Sequence, residues 1–160
     1  MEDLVKLIQQ KIENSELSPF WITPDIDFTK ILNQNAFKLV RAWPLLIMKK
    51  EDLIEPKTVA NFKLEQVKSI SDLNSWKLIV EDEYNYHFTI ETLTKWLANS
   101  KVDLFLGKIG NKPVSSILNF TNNNVVGGHL VATSSNYRNQ GIGSYTFYGA
   151  LKHAFAKGCA

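Results

Sequence analysis

The stretch SSNYRNQGIGSYTFY, Ser134 to Tyr148, constrains this chain more than any other. It follows the strand-like run VVGGHLVAT and leads into an apolar pattern of helical spacing, so it joins a strand to a helix. Gly141 and Gly143 lack a Cβ, which frees the backbone and lets a ligand come close. The first amides of the following helix have no intrahelical partners, and its dipole favours an anion there. A strand, a glycine loop and a helix start in that order make a phosphate site. A Walker A loop is excluded, because no lysine follows the glycine at the required place. A dinucleotide fingerprint is excluded too, because Thr146 stands where its third glycine belongs. What fits in full is R/Q-x-x-G-x-G/A, as Arg138-Asn139-Gln140-Gly141-Ile142-Gly143.

The rest of the chain supplies the frame for that loop. Leu4, Leu7, Ile8 and Ile12 recur at helical spacing and predict a helix over about 3–14. A short helix over 28–33 comes next, then one or two strands in AFKLVRAWPLLIMKK, broken near Pro44, and a connection at Glu55-Pro56-Lys57. NFKLEQVKSI alternates as a strand. Ser71-Asp72 are expected to cap a helix carrying Leu73, Trp76, Ile79 and Val80, and Thr89 a second with Ile90, Leu93, Trp96 and Leu97. VDLFLGKIGNKPVSSILNF reads as a hairpin turning at Gly110-Asn111. Asn122–Asn124 turn the chain into VVGGHLVAT, a strand weakened by Gly127-Gly128, and the last helix runs to about Lys157. A shift near residue 60 divides the chain into an N-terminal α/β subdomain, 1–60, and a domain over 61–160. Trp76 and Trp96 are expected in the core of the second, with Trp21 and Trp43 packing the first.

Element order and loop together resemble the GNAT superfamily of acetyl-CoA-dependent N-acetyltransferases, from Phe62 to Ala160. The resemblance implies an α/β (α+β) fold, a mixed, mainly antiparallel sheet flanked by helices. It implies that the amides of Asn139, Gln140, Gly141, Ile142, Gly143 and Ser144, behind Arg138, take the pyrophosphate of coenzyme A. It also implies that the backbone of Val131, Ala132 and Thr133 pairs with the pantetheine arm. No metal is implied. The family continues beyond the point where this sequence stops, so the domain is expected to be C-terminally incomplete. An unpaired strand edge would then invite a homodimer.

Acetylating an amine needs a deprotonated nitrogen. The strand before the loop carries no carboxylate but does carry His129, and an imidazole titrates at about 6.5. Simple alternation puts His129, Val131 and Thr133 on one face. His129 is a candidate base, and equally a cleft-wall or substrate-binding residue. Glu81, Asp82 and Glu83, with Tyr84, Tyr86 and His87, fall where the family builds its acceptor wall. Glu81, Glu83 and Tyr84 are candidate acceptor contacts, although such a charge run is commonly a solvated face. The acceptor is expected to be a small-molecule or peptide amine. With no activated nucleophile visible, transfer is expected to be direct. The rival reading is a degenerate or truncated coenzyme-binding module.

Composition narrows the alternatives. The formal net charge is +2, with 18 basic and 16 acidic side chains, so no strong field points to nucleic acid or an anionic membrane. Cys159 is the only cysteine, which excludes an intramolecular disulfide and a cysteine-based metal site; it is expected to be buried and inert. MEDLVKLIQQKIENSE carries charges within its apolar pattern, unlike a signal peptide, and no apolar run suffices to span a bilayer. A cytoplasmic setting follows as the expectation, and the acceptor motif Asn119-Phe120-Thr121 is read as chance.

Overall fold

The computed structural model describes residues 2–14, 26–35, 37–38 and 47–159. The strands expected across 36–50, and the packing of Trp21 and Trp43, fall largely or wholly outside these residues. The chain separates into two compact units, Met1–Leu46 and Ile47–Ala160. In the first, α1 (Glu2–Glu13) and α2 (Ile26–Gln34) bury Ile8 and Leu32. Gln9 there donates to the Asn35 carbonyl at 2.7 Å.

The second unit is a four-stranded antiparallel sheet with helices on both faces. Its elements are β1 (Phe62–Gln66), α3 (Ile70–Tyr84), α4 (Ile90–Leu97), β2 (Val102–Ile109), β3 (Lys112–Asn122), β4 (Val125–Thr133) and α5 (Ile142–Ala156). The strand order is β1-β2-β3-β4, so β4 lies at an edge. β2 and β3 are buried over consecutive residues because helices cover both of their faces. Leu104, Leu106 and Leu118 pack with Leu73, Trp76, Val80 and Leu93 of α3 and α4. Phe105 and Ile117 pack instead with Ala150 of α5. Trp76 is fully buried and donates its indole N–H to the Ile117 carbonyl at 3.1 Å. Residues 53–59 have no regular structure, yet Leu53 packs against Leu151, Ala154, Phe155 and Cys159. The stretch 47–60 therefore contributes to the second unit. Cys159 is buried there, as expected.

α5 meets the sheet through polar as well as apolar contacts. The hydroxyls of Ser115 and Thr146 bond at 2.6 Å, and the Asn119 amide donates to the Ala150 carbonyl at 2.8 Å. Asn119 is fully buried, so the folded chain cannot present it to a glycosylating enzyme.

One local reading is corrected. The N-cap of α3 is Ser69, not Ser71-Asp72: the Ser69 hydroxyl accepts from the Asp72 amide at 3.0 Å and donates to its carboxylate at 2.8 Å. Ser69 and Asp72 have the spacing of a capping box, with the Asp72 carboxylate bound here to the cap hydroxyl. β4 runs through Gly127 and Gly128, which pair with Phe120 and Asn119. The irregularity falls two residues later, at Leu130, whose φ is 51°. The hairpin turn at Gly110-Asn111, the turn at Asn123-Asn124 and the Thr89 cap of α4 stand where expected.

Candidate functional site

The glycine loop leaves the end of β4 and folds back into α5. A single 3-10 turn, Ser135–Tyr137, starts it, with the Tyr137 amide donating to the Ser134 carbonyl at 2.8 Å. The ammonium of Lys112 lies 5.2 Å from the centre of the Tyr137 ring and holds it against the sheet. Asn139 and Gly141 then take positive φ, 61° and 79°, on either side of Gln140. Backbone that alternates in this way turns successive N–H groups into one concavity, which suits an anion. Gly141 is the N-cap of α5 and provides no side chain to cap it. Among the described residues none accepts from the backbone amides of 139–144. Gly143 lies close under the end of β4, where a Cβ would stand 3.3 Å from the Thr133 hydroxyl. The six amides named from the sequence are thus brought together, and their unused donors match the acceptors of a diphosphate.

The bulge in β4 decides what faces the loop. Two β4 residues, Leu130 and Val131, stand against one β3 residue between the pairs Ser116–Ala132 and Leu118–His129. Alternation therefore slips by one. Val131 packs with Ile117 and Ala150 on the α5 side, and Thr133 lies beside Gly143. His129 pairs with Leu118, which belongs to the α3–α4 core, so His129 faces that side. The expectation that His129, Val131 and Thr133 share one face is overturned. His129 is exposed and its ring lies over Gly127, where a Cβ would stand 2.7 Å from Nε2.

The acidic run at the end of α3 divides into separate tasks. Glu81 accepts from the Phe88 amide at 2.7 Å and from Lys77 at 2.9 Å, which closes the corner between α3 and α4. The Lys77 bond, helped by the Phe88 amide and by the charges of Lys77 and His87, holds its carboxyl below the usual range against an opposing effect of burial. Tyr86 and His87 are exposed. Glu83 and Tyr84 reach the loop instead. Arg138 pairs with the Glu83 carboxylate and donates through Nε to the Thr133 carbonyl at 3.1 Å. The Tyr84 hydroxyl donates to the Val131 carbonyl at 3.0 Å. Burial, with the charge of Glu83, raises the Tyr84 pKa and keeps it a donor. Both carbonyls lie on the outer edge of β4: Ser134 turns inward to bond the Val114 carbonyl, and alternate residues turn outward. These contacts cover part of the edge on which pairing with a second copy was expected.

These links over the β4 edge join residues far apart in sequence, and no local pattern announces them. A second feature, equally silent in the sequence, is a cavity of about 300 Å³ lined by Met48, Leu53, Ile54 and Pro56 against Ser144, Phe147 and Tyr148. Among the described residues no cluster of His, Cys, Asp or Glu is arranged to hold a metal, and no helix is long and apolar enough to cross a membrane.

The sequence profile of the acetyltransferase (GNAT) family matches residues 71–160. No curated protein matches the chain. Among solved structures, a GCN5-related N-acetyltransferase from Kribbella flavida superposes with a TM-score of 0.67 at 20% identity, over 84% of this chain and 51% of its own. The chain thus spans about half the length of that protein. An aminoglycoside acetyltransferase from an uncultured soil metagenomic sample superposes at 0.54 and 20% identity, over 62% and 74%. AAC(6')-Iy, in complex with the bisubstrate analogue CoA-S-monomethyl-acetylneamine, superposes at 0.55 and 12% identity, over 62% and 76%. At these identities the likeness is one of fold, and the fold is the mixed α/β arrangement of GNAT acetyltransferases.

Proposed function

The chain belongs to the GNAT acetyltransferase family, and we propose that it moves an acetyl group from acetyl-CoA to the amine of a small molecule or peptide. The observation that carries this reading is the loop 139–144, where six backbone amides without acceptors among the described residues surround a helix start. In this reading those amides hold the pyrophosphate, and along Val131, Ala132 and Thr133 the outward backbone groups of Val131 and Thr133 align the pantetheine arm. His129 takes the proton from the acceptor ammonium on the α3–α4 side of β4. The nitrogen then bonds to the acetyl carbon, the carbon–sulfur bond breaks, and the thiolate of coenzyme A takes up a proton. Glu83 and Tyr84 stand at the acceptor side. Glu81 is committed to Lys77 and Phe88, so it acts there by shaping the corner.

A second reading keeps coenzyme binding without transfer. It is favoured by one observation, that β4 carries no carboxylate. Calorimetry with acetyl-CoA, followed by a thiol-release assay over a panel of amines, separates the two. Binding that is lost when Gly141 and Gly143 are both replaced by valine, together with amine-dependent thiol release, supports the transferase. Binding without release leaves the coenzyme-binding module. Binding that survives the double replacement rejects the loop as the site.

A further inference from the structure

Three contacts tie the end of α3 to the coenzyme side of β4. Arg138 is shared between the Glu83 carboxylate and the Thr133 carbonyl. Tyr84 holds the Val131 carbonyl. Arg138 is also the first residue of the loop whose next six amides lack acceptors among the described residues. Arg138 therefore stands between the Glu83 carboxylate and the backbone amides of the loop. Its side chain is 49% exposed and that of Glu83 is 36% exposed, so the pair is weakly held and readily exchanged.

We infer that Glu83 is the carboxylate that receives the acceptor's ammonium, and that Arg138 occupies it until a diphosphate in the loop draws the guanidinium away. This rests on the coenzyme reading above and adds an order and a substrate class to it. A diphosphate offers Arg138 more charge, and bidentate geometry, than one exposed carboxylate does. A pantetheine arm pairing along β4 competes at the same time for the outer edge at Val131 and Thr133, where Tyr84 and Arg138 sit. Both events release groups of the α3 end toward the acceptor. Coenzyme binding thereby creates a free carboxylate beside a tyrosine hydroxyl, a pair suited to a cationic primary amine that carries hydroxyl or further amine groups. Before coenzyme binds, that carboxylate is paired with Arg138. His129 faces the same side of the sheet.

The test is a double-mutant cycle on coenzyme A affinity, with spermidine as the cationic probe. Glu83→Gln removes the competitor for Arg138, so coenzyme A is expected to bind about two- to fivefold tighter, the range that an exposed ion pair supports. The gain is expected to vanish in an Arg138→Gln background and to shrink in half-molar salt, which screens exposed pairs. Spermidine is expected to bind the wild-type chain better when coenzyme A is present than when it is absent, and to lose that preference in Glu83→Gln. Unchanged or weaker coenzyme A binding by Glu83→Gln overturns the exchange, as does a gain that persists without Arg138. Spermidine binding that ignores coenzyme A overturns Glu83 as the acceptor's partner. A wild-type chain that binds no coenzyme A overturns the functional reading itself and the exchange with it. Binding that depends on Gly141 and Gly143 but ignores Glu83 overturns the exchange alone.

Discussion

Gly141 offers the sharpest perturbation, because its backbone and its surroundings make separable demands. Its φ is 79°, and a Cβ built there would find only the Val59 side chain, at 3.9 Å. Space is therefore not limiting; conformation is. An L-residue held left-handed costs about 1–2 kcal/mol, so Gly141→Ala is expected to lose about that much stability. For a chain of this size that is about 2–8 °C of melting temperature. Gly141→Asn is expected to lose less, because asparagine tolerates the left-handed region. Relief of the strain rotates the amides of the loop, so both variants are also expected to weaken coenzyme binding, alanine more than asparagine. The assay is thermal unfolding with and without coenzyme A at one hundred times its Kd. Ligand at that ratio stabilises a one-site protein by about 2.7 kcal/mol. The wild-type chain is expected to rise by about 5–11 °C, and Gly141→Ala by much less. An alanine variant with the melting temperature and the coenzyme response of the wild type refutes both the conformational demand and the site.

Other expected outcomes rest on separate contacts. Glu81→Gln is expected to loosen the α3–α4 corner at a cost of about 1–3 kcal/mol, read as faster amide exchange at Phe88. Asp72 is held below its usual carboxyl range, chiefly by the Ser69 hydroxyl and next by Lys108. A depressed carboxyl stabilises the fold above its unfolded value of about 3.9 and ceases to do so as pH falls through the lower folded value. The stability gap between wild type and Asp72→Asn is therefore expected to be full at pH 6 and to close below pH 4 in acid-unfolding curves. His129→Ala is expected to lower turnover while sparing coenzyme affinity; an unaltered acidic limb in its pH–rate profile removes His129 from the proton transfer. Trp76→Phe removes the bond to the Ile117 carbonyl and leaves that carbonyl buried, which is expected to cost about 1–3 kcal/mol in denaturant titration.

Elements specified by local chemistry were readable before the structure. The hairpin at Gly110-Asn111, the Thr89 cap and the loop before α5 all follow from residue types whose backbone preferences differ sharply from those of their neighbours. The bulge at Leu130 was not readable, since leucine carries no turn signal and the adjacent glycines drew attention to themselves. Those glycines have another use: a Cβ on Gly128 would stand 2.7 Å from the Phe147 ring, and one on Gly127 as close to His129. They admit side chains that press on the strand. The misplaced cap of α3 was legible in principle, because Ser69 and Asp72 have capping-box spacing, but Ser71 stood nearer the apolar run. The candidate site was legible where it is made of consecutive backbone, from 139 to 144. It was illegible where it depends on pairs such as Glu83 and Arg138, 55 residues apart. Nothing local encodes such a pair; only the antiparallel return of β4 past the end of α3 creates it.

The hydroxyl bond between Ser115 and Thr146, with the amide of Asn119 on the Ala150 carbonyl, acts as an index mark for α5. Apolar side chains alone would tolerate a helix that slides by a fraction of a turn or rolls about its axis, because one greasy surface resembles another. Two directional bonds at different heights tolerate neither motion. The height of the first turn over the end of β4 is thus set by polar atoms buried one to two turns deeper, away from any ligand. A helix transplanted from a relative would need matching partners for Ser115 and Asn119, or its opening amides would arrive at the right loop in the wrong place.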